Sequence, residues 1–524
     1  MAITFTTSTG STSVQVTDPN HGCSVGDYVK FEDVSGLSGT GMNSLIDDRV
    51  FYIQSLVGSN AYTITISSDA TGNNVSAGQA SAYYYLESGI EAAVLGPGWG
   101  AGTWSRSSWG SQITQTAGQD IRLWSVDNFG QDLIACVKDG TIYYWRYYGG
   151  GQFPRLFPLN SIFGATSSDV PTIARFVVTS DIDRHCLAFA CNPIGSETQD
   201  KLLIRFSDQE DPSNWTPTLS NTAGDLRLSQ GTEITGVQQT RKEILVWTDR
   251  SLHTIQFQGS PFTFGQALIA DNIRLSGPNA IIGVNDLVYW MGYENFYRYD
   301  GRVQVLPCSV RSHVFNNINR AQFSKVYAGT ITQQNEIWWF YTSANANEND
   351  KYVVFNYAEN VWYTGNLGRT AMHDASSSNR IYPQAVGADK FLYNHEKGLD
   401  DGSTSPPSAI NAYVESSDFD LGEGDRFMLT QRIIPDLTFE GSTADTPSVN
   451  FSIKVKDYPG QNYSLSSVSQ RAVRTSTTPV EQYTNQIYVR ARGRAAALRV
   501  ESNTEGVKWR LGAPRLEMRQ DGRK

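Results

Sequence analysis

Three arginines at alternating positions, Arg490, Arg492 and Arg494, are the first residues in this chain whose type and spacing suggest chemistry. In a strand, residues two apart share a face, so three guanidinium groups there would offer planar forks to phosphate or carboxylate partners. They lie in a basic tail. From Gln486 to Lys524 there are ten Lys or Arg against four acids, net +6, which leaves −16 for the rest of the chain. Such a stripe also suits ion pairs with an acidic neighbour, either another subunit or the run Glu415, Asp418, Asp420, Glu423 and Asp425. That acidic run, with Gly422 inside it, has part of a calcium loop's alternation. It lacks the full ligand spacing and reads as a solvated turn. His21 and Cys23 have metal-binding chemistry, but with no second pair nearby they read as a turn histidine beside a core thiol. No metal or cofactor is expected.

Catalytic signatures are sparse. There is no Gly-x-Ser-x-Gly elbow, no His-Glu-x-x-His and no phosphate-cradling Gly/Lys loop. The six histidines, at 21, 185, 253, 313, 373 and 395, are scattered without an adjacent nucleophile. His395-Glu396 is the best acid–base candidate, set against a structural turn. A glycosidase needs two facing carboxylates, which distant segments can supply without any sequence signal. The chain is therefore read as a non-enzyme.

The elements that would position these residues are strands. The stretch Asn285–Pro307 reads as a meander. Leu287–Met291 is apolar on both faces and needs cover on each side, Phe296–Tyr299 follows, Asp300-Gly301 signals a tight hairpin, and Val303 and Val305 begin a third strand. The design recurs, with leading strands beginning at 133, 186, 244, 287, 337 and 385, spaced 43 to 58 residues apart. Repeats of about 40–50 residues, each a small antiparallel sheet rich in aromatics, are the pattern of propeller blades. One such sheet cannot cover both of its faces, whereas a ring of them can. The expected fold is all-β and multi-domain. Residues 1–85 form a small barrel-like β module, 86–120 a Gly/Trp-rich linker, 121–405 a β-propeller of about six blades, and 406–524 a C-terminal β domain with the basic tail. One helix is expected at Ser309–Asn319, capped by Ser309. In the linker, Trp99, Trp104 and Trp109 are candidates for an inter-subunit contact.

Composition narrows the function classes. Charged residues make up only 18% of the chain and the net charge is −10, which disfavours tight general binding to nucleic acid. Five cysteines give no disulfide framework and read as buried free thiols of a protein made in a reducing cytoplasm. Met1–Thr7 has no basic start followed by an apolar core, so no secretory signal is expected, and no apolar run reaches membrane-spanning length. A polar, uncharged, particle-like surface on a cytoplasmic product fits assembly into a particle inside a cell, followed by release through lysis.

Several stretches carry a resemblance: Arg205–Asp208, Pro212–Pro217, Leu245–Arg250, Val288–Gly292, Glu336–Tyr341 and Arg490–Arg494. Across about residues 95–524 the chain resembles the tail nozzle (tail-tube, or packaged-DNA stabilisation) proteins of short-tailed bacteriophages. The resemblance implies a structural virion protein of the tail, assembled in the bacterial cytoplasm. Six copies would form a ring beneath the head-to-tail adaptor proteins, with tail fibres or spikes attached nearby. The ring would retain packaged double-stranded DNA and conduct it, without sequence specificity, during ejection. Its lumen should then be acidic or neutral overall, since every phosphate contact adds drag. Two rival readings remain: a carbohydrate- or receptor-binding propeller of a phage tail, and a sialidase-like glycosidase. For the latter, Ser207–Trp215 has part of an Asp-box but lacks the Gly-Thr before the tryptophan.

Overall fold

The computed structural model describes residues 3–523 except 20, 22, 24, 59, 86–89, 91, 94–119, 148–155, 163–168, 260–261, 376–379, 423, 459 and 462–474. The fold is all-β and multi-domain, with 48% of residues in strands and 5% in helices. The chain forms two compact units, one of residues 1–328 and 337–368, the other of residues 329–336 and 369–524. No described helix is long and apolar enough to cross a membrane.

In the first unit, the opening module packs a five-stranded sheet and a three-stranded sheet around Phe5, Val14, Val16, Val29, Phe31, Tyr62 and Ile64. The apolar run Val50–Leu56 is divided between two sheets. Arg49–Tyr52 pairs with Tyr28–Ser35 in one sheet, while Ser55–Leu56 pairs with Ala61–Thr65 in the other. Buried Ile53 sits at the break, so one apolar run serves two sheets.

Next come five antiparallel four-stranded sheets, each with its strands in chain order, the plan of propeller blades. Blade 1 holds Trp124–Phe129, Asp132–Val137, Ile142–Trp145 and Phe157–Pro158. Blade 2 holds Phe176–Thr179, Cys186–Phe189, Leu203–Phe206 and Gly224–Arg227. Blade 3 holds Ile234–Gln239, Ile244–Thr248, Ser251–Phe257 and Phe264–Asp271. Blade 4 holds Ile281–Val284, Leu287–Met291, Phe296–Tyr299 and Val303–Leu306, and blade 5 Tyr327–Ile331, Glu336–Tyr341, Lys351–Asn356 and Val361–Asn366. Through blades 1 to 4, the first strand of each blade lies against the first strand of the next. The faces are sealed by shared cores. One joins blades 1 and 2, another blades 2 and 3, and a third blades 3, 4 and 5.

The strands read from sequence as leading each repeat are the second strands of their blades. The second strand is walled by neighbours on both faces, hence its unbroken apolar run: Cys186–Phe189, Ile244–Thr248 and Glu336–Tyr341 are buried throughout. First strands such as Phe176–Thr179 alternate buried and accessible residues and give a weaker signal. Large rings fill the inter-blade layers. Trp215, Trp247, Trp290 and Trp339 are at most 1% exposed. Trp247 meets Trp290 edge-on at 5.3 Å, and Trp339 Nε1 donates to the Ala280 carbonyl at 3.1 Å. Neither Trp247 Nε1 nor Trp290 Nε1 has a hydrogen-bond partner among the described residues. The helix expected over Ser309–Asn319 is shorter, Arg311–Phe315. It starts at Val310 with no side-chain cap, and Val314 and Phe315 are buried beneath it.

In the second unit, a three-stranded sheet (Arg369–His373, Gln384–Gly387, Leu392–Asn394) precedes a two-layer β domain. One layer has the strand order Ala412–Glu415, Ala495–Ser502, Ser448–Lys456, Thr475–Glu481. The other has Ile487–Gly493, Met428–Ile434, Arg515–Gln520. Val449, Phe451, Ile453 and Val455 from the first layer share a core with Met428, Ile433, Ile487 and Val489 from the second.

Candidate functional site

Alternation in Ile487–Gly493 turns Ile487, Val489 and Ala491 into the core and Tyr488, Arg490 and Arg492 outward. Arg494 lies beyond the strand's end at Gly493, so the three arginines do not form one stripe. Arg492 Nε is 2.7 Å from Asp521 Oδ2 and its guanidinium stacks over Phe427 at 4.3 Å. Arg494 stacks over the same ring at 5.3 Å and donates to the Arg523 carbonyl at 3.4 Å. Arg490 has no ion-pair partner among the described residues.

The central strand Met428–Ile434 carries a bulge at Thr430–Arg432 that places Gln431 and Arg432 outward together. Arg432 stands opposite Tyr488 on one side and Glu517 on the other, bonding Glu517 at 2.8 Å. Leu429 stands between Arg492 and Arg519, and Ile434 opposite Arg515. The outer face of this sheet thus carries five guanidinium groups and one carboxylate. A depression of about 530 Å³ opens on it, lined by Gln431, Arg432, Tyr488, Arg490, Glu517 and Arg519. The sequence reading found the first of its three strands. The alternation Arg515, Glu517, Arg519 was the legible sign of a second; Arg432 gave none, because a bulge decides which way it points.

The acidic run lies elsewhere and has basic partners of its own. Glu415 bonds Lys454 at 2.8 Å and Arg499 at 3.1 Å, and Asp418 bonds Lys456 at 2.6 Å. Burial raises the Glu415 carboxyl, but the bonds from Lys454 and Arg499 outweigh it and hold the group below its ordinary range. Asp425 lies 3.8 Å from Arg426 and 3.7 Å from Arg523, so among the described residues the ion pairs of this run go to Lys454, Lys456, Arg499, Arg426 and Arg523, not to Arg490, Arg492 or Arg494. Cys23 Sγ lies 2.8 Å from His21 Nδ1, and burial pushes the thiol up to about 12, which leaves it a neutral thiol. No group of three or more described His, Cys, Asp or Glu residues is placed to hold a metal ion. All five cysteines are free. Trp99, Trp104 and Trp109 lie outside the described residues.

His395 and Glu396 do not converge on a cleft. Arg369 Nε donates to His395 Nε2 at 2.9 Å, which makes that nitrogen an acceptor and fixes the neutral Nδ1–H tautomer. Burial, aided by the Arg369 charge, pulls the imidazole down to about 4. Glu396 accepts from Gln334 Nε2 at 2.9 Å.

Two polar constellations had no sequence signal because their members are distant. Buried His185 bonds Asp183 through Nδ1 and Thr222 Oγ1 through Nε2 at 2.9 Å, and Thr222 Oγ1 in turn donates to Asp208 Oδ1 at 2.7 Å. The order carboxylate, imidazole, hydroxyl has the form of a catalytic triad, but Thr222 donates its single proton to Asp208 and is spent as a structural link. Arg175, 7% exposed, joins three blades. It holds Asp139 of blade 1 with two bonds at 2.8 and 3.0 Å, and reaches Glu233 and the Ile234 carbonyl at the entry to blade 3 at 3.0 and 3.1 Å. Burial raises both carboxyls, and the bonds from Arg175, with help from Gln199 and Lys201, more than reverse it, so both sit below their ordinary ranges.

No known family's sequence profile matches the chain, and no curated protein matches it in sequence. Among solved structures it is similar to a Synechocystis apocarotenoid oxygenase mutant, Glu150Gln in that protein's own numbering, at 9% identity and TM-score 0.29 over 75% of this chain and 87% of that one. It is also similar to Trypanosoma rangeli sialidase, at 8% identity and TM-score 0.29 over 74% and 92%. A third likeness is to phage phi92 endosialidase, at 12% identity and TM-score 0.18 over 84% and 66%. At these scores none of the three bears on function.

Proposed function

We propose that this chain is a non-enzymatic structural protein of a short-tailed phage virion, a subunit of the oligomeric tail nozzle that retains packaged DNA and conducts it during ejection. The observation that carries the reading is the use of the buried ionisable groups. Arg175 ties blades 1, 2 and 3, and the His185 chain and the Arg369–His395 bond are saturated internally. Groups of this kind can do acid–base work; here each is bonded within the fold and adds rigidity, which suits a passive conduit. The resembling stretches Leu245–Arg250, Val288–Gly292 and Glu336–Tyr341 fall on second strands, so the likeness is one of blade core. The expected partners are further copies of the chain in a six-membered ring, the head-to-tail adaptor, fibres or spikes, and passing duplex DNA.

The test is the mass and image of the particle formed when the purified chain is mixed with its adaptor. A closed ring with a central hole is expected. A lone chain that stays monomeric with the adaptor at high concentration refutes the reading.

A second reading, a carbohydrate- or receptor-binding tail component, is favoured by one feature. Tyr28 and Tyr52 face each other across two strands of the opening module, 40% and 45% exposed, with ring centroids 5.5 Å apart. Paired exposed rings are apt for stacking on sugars. Glycan-array binding that disappears in a Tyr28→Ala, Tyr52→Ala variant would promote it over the first.

A further inference from the structure

We propose that the outer face of the sheet Ile487–Gly493, Met428–Ile434, Arg515–Gln520 is a binding surface for the phosphate backbone of nucleic acid, engaged without sequence preference. The proposal rests on the conduit reading only in naming where such a polymer would be touched; the observations themselves concern one sheet.

The first observation is uncompensated charge. Arg432 has Glu517 and Arg492 has Asp521, but Arg490, Arg515 and Arg519 have no ion pair among the described residues. Like charges on adjacent strands oppose sheet formation, so three unmatched guanidinium groups on one small face lower stability unless an anion is there to accept them. The second is identity. All five cations on the face are Arg, whose planar fork grips phosphate oxygens in pairs, and none is Lys. The third is shape. The three strands form an open face around the depression of about 530 Å³, with Arg490 and Arg519, from the two outer strands, both on its lining.

A protein partner fits less well. Protein interfaces have an apolar centre from which charge is depleted. Here Leu429 is 8% exposed, and the apolar contributions at the surface reduce to Ile434 and the ring of Tyr488. A backbone of regularly spaced charges needs no such centre. Gln431 and the exposed Tyr488 add neutral hydrogen-bonding groups suited to phosphate and sugar oxygens.

The salt dependence follows from the count. Three unpaired guanidinium groups neutralising three phosphates give a slope of log K against log salt of about −2.7, so affinity falls about 40-fold between ~50 and ~200 mM salt. That is a weak, reversible contact, compatible with an acidic chain and with a polymer that must later move.

The test is fluorescence anisotropy of the full-length chain with a dye-labelled duplex of random sequence, across that salt range. Binding with a slope near −3 is expected. In Arg490→Glu, Arg519→Glu the low-salt affinity should fall at least tenfold and the slope approach −1, while Arg302→Glu on the blade 4 hairpin should change neither. Arg490→Gln, Arg519→Gln serves as a second variant if charge reversal impairs folding. Three results each overturn the proposal: no binding at low salt, unchanged binding in both double variants, or a loss of association with another copy or the adaptor while DNA binding persists. Because the assay uses the single chain, a failure of ring formation is a separate result.

Discussion

Arg175 allows a quantitative test of how the blades are held together. Its side chain is 8% exposed and makes two bonds to Asp139, one to Glu233 and one to the Ile234 carbonyl. Removing the cation while leaving its partners, as in Arg175→Met, strands two partly buried carboxylates; breaking a buried pair in this way typically costs about 3–5 kcal/mol. The loss should fall toward the lower end, since Glu233 also has Lys201 at 3.1 Å and Asp139 also accepts from Gln199 at 2.7 Å. In the triple variant Arg175→Met, Asp139→Asn, Glu233→Gln no charge is stranded, and most of the loss should be regained. The assay is urea unfolding followed by the fluorescence of the buried tryptophans, read as the midpoint of the first transition, because two compact units need not unfold together. The sign with pH can be worked out. Both carboxyls are depressed in the fold, so their contribution is present above the ordinary carboxylate range near pH 4 and disappears as pH falls below it. The difference between wild type and Arg175→Met should therefore shrink on acidification from pH 6 to pH 3. If Arg175→Met costs under about 1 kcal/mol at neutral pH, or the triple variant is no better than the single one, the clamp is not what holds these sheets together.

Other outcomes follow from the same geometry. Trp339→Phe should cost about 0.5–1.5 kcal/mol more than Trp247→Phe, because the first loses the indole bond to the Ala280 carbonyl, which keeps only its bond from Met291 N–H, and the second removes an indole N–H that has no partner among the described residues; paired denaturation midpoints decide it. His395 is depressed to about 4 in the fold, so between about pH 6.5 and 4 the unfolded chain binds more protons and stability falls as pH falls. His395→Gln should flatten that limb, and the His395 ring signal in NMR should titrate near 4. A Cβ at Gly277 would lie 2.2 Å from the Phe323 carbonyl oxygen, so Gly277→Ala should cost about 1–3 kcal/mol, whereas Gly283→Ala, with its nearest neighbour at 3.8 Å, should be close to neutral in the same melt.

The repeat was legible because second strands such as Leu287–Met291 are covered on both sides and so cannot alternate. Their partners at the start of each blade were missed for the complementary reason: half-accessible strands such as Trp124–Phe129 or Phe176–Thr179 look like loops when read alone. The hairpin at Asp300-Gly301 was visible in its turn residues, and Gly301 takes φ +98° there. The Ser309 cap failed because a helix of five residues is held by Val314 and Phe315, which pack below it, and needs no capping bond. Of the candidate site, spacing revealed Arg490 and Arg492. It could not reveal that Arg432 joins them, nor that Arg175 meets Asp139 and Glu233, because contacts between residues 36 and 58 positions apart are made by the fold.

Along the seam where the first strands of blades 1 and 2 meet, more and less accessible side chains alternate, as in Trp124–Phe129 and Phe176–Thr179. The load of the architecture rests on the second strands behind them. Accessible positions on those first strands can therefore be rewritten one residue at a time with little penalty to folding, whereas the same change on a second strand would open the layer between two sheets.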